Sequence, residues 1–147
     1  MSWQLVGKLY KNGTDMSGKI LIVEDEALVA WNMKDILESE GYTCVDIAPD
    51  LETAEEYFDA SIDLALVDLN LRDGMTGPQI GERLSSSGTR VIFITANPSQ
   101  IGDGVAGTIG VLTKPTDDAT LLAAVSYALG RTERSSIEPP SALKLFA

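Results

Sequence analysis

Five residues of this 147-residue chain close short apolar runs with groups that could do chemistry. Asp68 ends the run in LALVDLNL, Glu24 and Asp25 follow KILIV, Thr95 ends VIFIT, and Lys114 ends VLTK just ahead of Pro115. Each has a plain reading on its own. An acidic residue after a strand is commonly a turn former or helix cap, and a lysine is commonly a solvated surface charge. Gathered in one place they mean something else. Three neighbouring carboxylates repel one another unless a cation joins them, and oxygen ligands on a partly open edge suit Mg²⁺, which keeps several waters and takes few protein carboxylates. Mg²⁺, a nucleophilic carboxylate, a hydroxyl and a lysine are the parts needed to accept a phosphoryl group, because positioning and charge stabilisation account for most of that catalysis.

The elements that must position them alternate regularly from Lys19 to Gly130. Runs of strand length occur at Ile20 to Val23, Cys44 to Ala48, Leu64 to Val67, Val91 to Ile94 and Gly110 to Leu112. Several are apolar throughout, the pattern of a parallel sheet covered on both faces. Between them, Val29, Met33, Ile36 and Leu37 form a helical stripe stopped by Gly41, and Leu51, Ala54 and Phe58 form a shorter one behind Asp50 as N-cap. Pro78 suits a first helical turn ahead of Ile80 and Leu84, and Leu121, Val125, Ala128 and Leu129 follow Asp117 and Asp118, which favour a helix N-terminus. Residues 97–107 contain Pro98, Gly102, Gly104 and Gly107, so the helix expected there is short, mobile or missing. The fold class is α/β, a doubly wound five-stranded parallel sheet with helices on both faces, and its ligand site belongs at the carboxyl ends of the strands.

Composition narrows the function. With 44% hydrophobic residues the chain can build one core without staples. A net charge of −11 without any basic cluster argues against a nucleic-acid or anionic-membrane partner. The chain has no histidine, which removes Ser-His-Asp and Cys-His chemistry, histidine metal sites and autophosphorylation on histidine. Its one cysteine, Cys44, reads as a small core residue. No apolar stretch nears the roughly 20 residues that cross a bilayer, and the expected location is cytoplasmic. Residues 1–17 read as an N-terminal extension, 18–131 as the domain and 132–147 as a C-terminal tail, a linker ending in the docking tip ALKLFA.

Through ILIVEDE, LALVDLNL, VIFITA and TKP, in that order over about residues 18–130, the sequence resembles the response-regulator receiver domain of two-component signalling, a flavodoxin-like fold. The resemblance implies a single-domain regulator in which Asp68 takes a phosphoryl group from a phosphohistidine on a histidine kinase or histidine phosphotransfer protein. It implies Mg²⁺ held by Glu24, Asp25, the Asp68 side chain and the backbone carbonyl of Asn70. Thr95 and the Ala96 amide would bind phosphoryl oxygens, Lys114 would pair with the phosphate, and its bond to Pro115 would be cis. Only self-phosphorylation and slow self-dephosphorylation would count as enzymatic. The implied outputs are protein contact through the 98–130 face, a phosphorylation-dependent homodimer, or draining phosphate from a shared kinase.

Departures from the family pattern bear on the switch, assigned to Val111 and Asn97. Val111 stands where relatives carry Tyr or Phe, the loop after Asp68 is about one residue longer with Arg72 in place of proline, and Thr116 replaces a frequent Phe. With the glycine-rich 97–107 segment, these predict an output face that moves by loop or helix ordering rather than by a rotating ring. Three other readings are weaker. A haloacid-dehalogenase-type phosphohydrolase would place a second Asp where Asn70 stands. A flavodoxin-like cofactor binder would need a phosphate cradle in place of VEDEAL. A pseudo-receiver independent of phosphate would have no need to keep all five residues.

Overall fold

The structure, a computed structural model, describes residues 18–130 and 138–147. The expected N-terminal extension, 1–17, and the start of the tail lie outside the described residues. Six strands form one sheet: β1 (Lys19–Val23), β2 (Thr43–Ala48), β3 (Leu64–Val67), β4 (Arg90–Thr95), β5 (Gly110–Thr113) and β6 (Lys144–Leu145), in the order β2-β1-β3-β4-β5-β6. The first five are parallel neighbours, as the unbroken apolar runs of several of them predict. The sixth, from the tail, pairs antiparallel with β5 and extends the expected five strands.

Among the described residues, four α-helices accompany them: α1 (Ala27–Ser39), α2 (Leu51–Glu55), α3 (Gly77–Ser86) and α4 (Asp118–Leu129). Alternate residues of each central strand enter opposite layers. Leu21, Val67, Phe93 and Val111 pack with Phe58, Ile80 and Leu84, whereas Ile22, Leu66, Ile94 and Leu112 pack with Ala30, Leu37, Leu121 and Val125. Every residue of β3 is buried because both faces of the sheet are covered.

Local chemistry sets the element ends. Asp50 accepts the Thr53 amide at 2.9 Å and makes the expected N-cap, and Asp117, expected only to favour the helix N-terminus by its charge, caps α4 by accepting the Thr120 amide at 2.7 Å. Gly130 closes α4 in the left-handed region at φ 61°, a conformation that favours glycine. α2 is shorter than its stripe, and Phe58 reaches the core from the turns after it. The α1 stripe faces inward, with Leu37 buried and Val29, Met33 and Ile36 partly so; Ala30, outside the stripe, is buried as well, and Leu28 and Trp31 face solvent. Between β4 and β5 there is only a four-residue 3-10 turn, Pro98–Ile101, consistent with the glycine content of that stretch. Cys44 is half-buried against the α1/α4 layer, and burial pushes its thiol up to about 12.

Candidate functional site

The strand ends converge as the topology requires. β1 and β3 are adjacent, with Val23 opposite Val67, so the residues that follow them, Glu24 and Asp68, emerge side by side. Glu24, Asp25 and Asp68 each offer a carboxylate oxygen within 4.8 Å of the other two. Glu24 is 3% exposed and Asp68 8%, while Asp25 faces solvent. The group is thus two buried carboxylates with one open side.

Lys114 arrives from the end of β5 and bridges the buried pair. Its ammonium donates to Glu24 Oε1 at 2.6 Å and to Asp68 Oδ2 at 2.8 Å. The remaining oxygens have backbone donors: the Leu69 amide to Asp68 Oδ1 at 2.7 Å and the Glu26 amide to Glu24 Oε2 at 3.1 Å. Burial raises the Glu24 carboxyl above its ordinary value, with Lys114 and the Glu26 amide pulling the other way. Burial also works against the Lys114 charge, but the hydrogen bonds to Asp68 and Glu24 outweigh it and the ammonium is raised above the usual lysine value. Three carboxylates and one ammonium leave a formal −2 (−3 + 1), so the donor set fits a hard divalent cation.

Thr95 closes β4 at the same edge, fully buried, with its hydroxyl accepting the Asn97 amide at 3.1 Å and its carbonyl accepting the Lys114 amide at 2.8 Å. Ala96 follows it, exposed. The Lys114–Pro115 bond is cis. Asn70 directs its side-chain amide to Gln100 at 2.7 Å, tying the loop after Asp68 to the 3-10 turn. Val111 does not reach this edge; it lies within β5, buried in the α2/α3 layer.

The added length of the loop after Asp68 is taken up by a small turn in which Leu71 bridges Gly74. Arg72 donates to Asp50 at 2.7 Å and Asp73 accepts the Leu51 amide at 2.9 Å, fastening this loop to the start of α2. The Thr53 amide first and Arg72 after it hold the Asp50 carboxyl below the usual range. Sequence reasoning missed Gln100, since its contact depends on the 3-10 turn. It also missed Gly77, where a Cβ would overlap the Asp68 carbonyl oxygen and the Leu69 Cα. Gly77→Ala is expected to displace the Asp68 backbone and cost about 1–3 kcal/mol, read from the urea midpoint.

The result is a mostly parallel α/β sheet with a carboxylate group and a lysine gathered at the C-terminal edge of its parallel strands. The family model described as response regulator receiver domain matches residues 20–126, and the chain belongs to that family. Among curated relatives, the phyllosphere-induced regulator PhyR of Methylorubrum extorquens is 33% identical over 78% of this chain and 45% of its own length. The transcriptional regulatory protein CpxR of Escherichia coli is 31% identical over 80% of this chain and 51% of its own. The chain therefore spans about half the length of the curated relatives it matches. The NMR structure of the PhyR receiver domain from Erythrobacter litoralis superposes with a TM-score of 0.69 at 30% identity, covering 82% of this chain and 95% of that one. The CheX–CheY–BeF3–Mg complex of Borrelia burgdorferi gives 0.65 at 26% identity, covering 80% and 92%.

Proposed function

We propose that this receiver domain is a Mg²⁺-dependent phosphoryl acceptor, with Asp68 as the acceptor and a histidine kinase or histidine phosphotransfer protein as the donor. The observation that carries the reading is the Glu24–Asp25–Asp68 group with Lys114 across its buried pair. The related Borrelia complex, which contains BeF3 and Mg, supports the same chemistry by kinship. An Asp68 oxygen forms the new bond to phosphorus while the P–N bond of the donor phosphohistidine breaks, its electron pair leaving on the imidazole. Lys114, already shared between Glu24 and Asp68, pairs with the incoming phosphoryl oxygens. The Thr95 hydroxyl and the Ala96 amide donate to the others. Glu24, Asp25, Asp68 and the Asn70 carbonyl would hold Mg²⁺, which supplies charge neutralisation for the transferring group.

The chain would work in the cytoplasm through protein contact on the 98–130 face, as a relay, a phosphorylation-dependent homodimer or a phosphate sink. Asp25→Asn removes the solvent-facing ligand and leaves the buried pair with Lys114 intact. It is expected to weaken Mg²⁺ binding about tenfold or more, measured by titration calorimetry, with little change in fold. An unchanged Mg²⁺ affinity would remove Asp25 from the metal site.

A further inference from the structure

The tail docks where the domain has made room for it. β6 pairs with β5 through Gly110 opposite Leu145 and Val111 opposite Lys144, and the Phe146 amide donates to the Ile109 carbonyl at 3.0 Å. The strand straddles the sheet edge: Leu143 is buried in the α1/α4 layer, and Phe146 packs in the α2/α3 layer with its ring 6.3 Å from that of Phe93. Two glycines permit this approach. A Cβ on Gly110 would overlap the Lys144 carbonyl, and one on Gly104 would strike the Phe146 ring. The ring of Phe146 therefore lies beside Ile109, against Gly104 and Phe93, while Lys144 stands opposite Val111.

The same ring touches the segment that leads from the acidic site. Asn97 is held by the Thr95 hydroxyl and Gln100 by the Asn70 side chain, while the Gly104 amide donates to the Ile101 carbonyl at 3.0 Å. Gly104 then backs Phe146. Resting on the phosphoacceptor reading above, we propose that the β5 edge is a strand-accepting site whose resident ligand is this chain's own Leu143–Phe146, and that phosphorylation of Asp68 weakens its hold. When the Thr95 hydroxyl turns to donate to a phosphoryl oxygen, it moves the oxygen on which Asn97 rests. Displacement of the 97–104 segment shifts the glycine wall fitted to Phe146. A two-residue strand holds few hydrogen bonds, so loss of the ring contact releases it.

The test uses the full chain with Mg²⁺ and acetyl phosphate. Uptake is read by intact mass, and amide exchange is read at residues 144–146. Uptake at Asp68 is expected to speed exchange at those residues about fivefold or more, and by reciprocity Phe146→Ala is expected to tighten BeF3⁻ binding by the same factor. Uptake with unchanged exchange, or a Phe146→Ala variant with unchanged BeF3⁻ affinity, overturns the coupling alone. No uptake of phosphoryl overturns both the coupling and the acceptor reading on which it rests.

Discussion

Asp68→Asn is expected to take up no phosphoryl group from acetyl phosphate and Mg²⁺, yet to unfold at the same or a slightly higher urea concentration than the unaltered chain in EDTA. Lys114 and the Leu69 amide donate to different oxygens of Asp68, and an amide has only one, so one of the two hydrogen bonds is lost. Against that loss stands the charge: the local formal sum goes from −2 to −1, because Glu24, Asp25 and Lys114 remain. Relief of that repulsion contributes up to about 1 kcal/mol in the metal-free state, and the advantage should shrink when Mg²⁺ is added. Phosphoryl uptake by this variant at the normal rate would place the acceptor elsewhere.

Lys114→Ala has the opposite effect on stability. It leaves Glu24 and Asp68, both nearly buried, without the ammonium that now serves both. Removing one partner of a fully buried pair costs about 3–5 kcal/mol. The Asp25 side of this site is open to solvent, so a loss of about 2–3 kcal/mol is expected in EDTA. Added Mg²⁺ should recover part of it, since a divalent cation can stand against the same carboxylates. The variant is also expected to lose the effect of phosphorylation on partner binding, because the proposed function gives Lys114 the role of pairing with the phosphate. Paired urea titrations in EDTA and in Mg²⁺ measure both terms. Equal stability of variant and parent in EDTA would show that the buried pair does not depend on Lys114.

The fold was legible because both layers leave the same mark. β3 reads LALV without alternation, which a sheet covered on one face would not tolerate. The site was legible because its residues terminate those runs, and parallel strands carry their last residues to one edge. Less of the surface could be read. The stripe Val29, Met33, Ile36 and Leu37 marks the inward side of α1 and leaves out the solvent-facing Leu28 and Trp31, but the small Ala30, fully buried beside Leu37, gives no signal in a stripe of large apolar residues. The apolar end ALKLFA is visible in the sequence, but the surface that receives it is two glycines and an open strand edge, features that carry no side-chain signature. The Asn70–Gln100 and Arg72–Asp50 links join segments 30 and 22 residues apart through single polar side chains, for which no periodicity can announce a partner.

The most direct measurement of the central claim is site-mapped mass spectrometry of the full chain after incubation with acetyl phosphate, with Mg²⁺ and with EDTA in its place. The account predicts one phosphoryl group, carried by the peptide containing Asp68, present with Mg²⁺ and absent with EDTA. A phosphoryl group mapped to any other residue, or equal labelling without the metal, would contradict it.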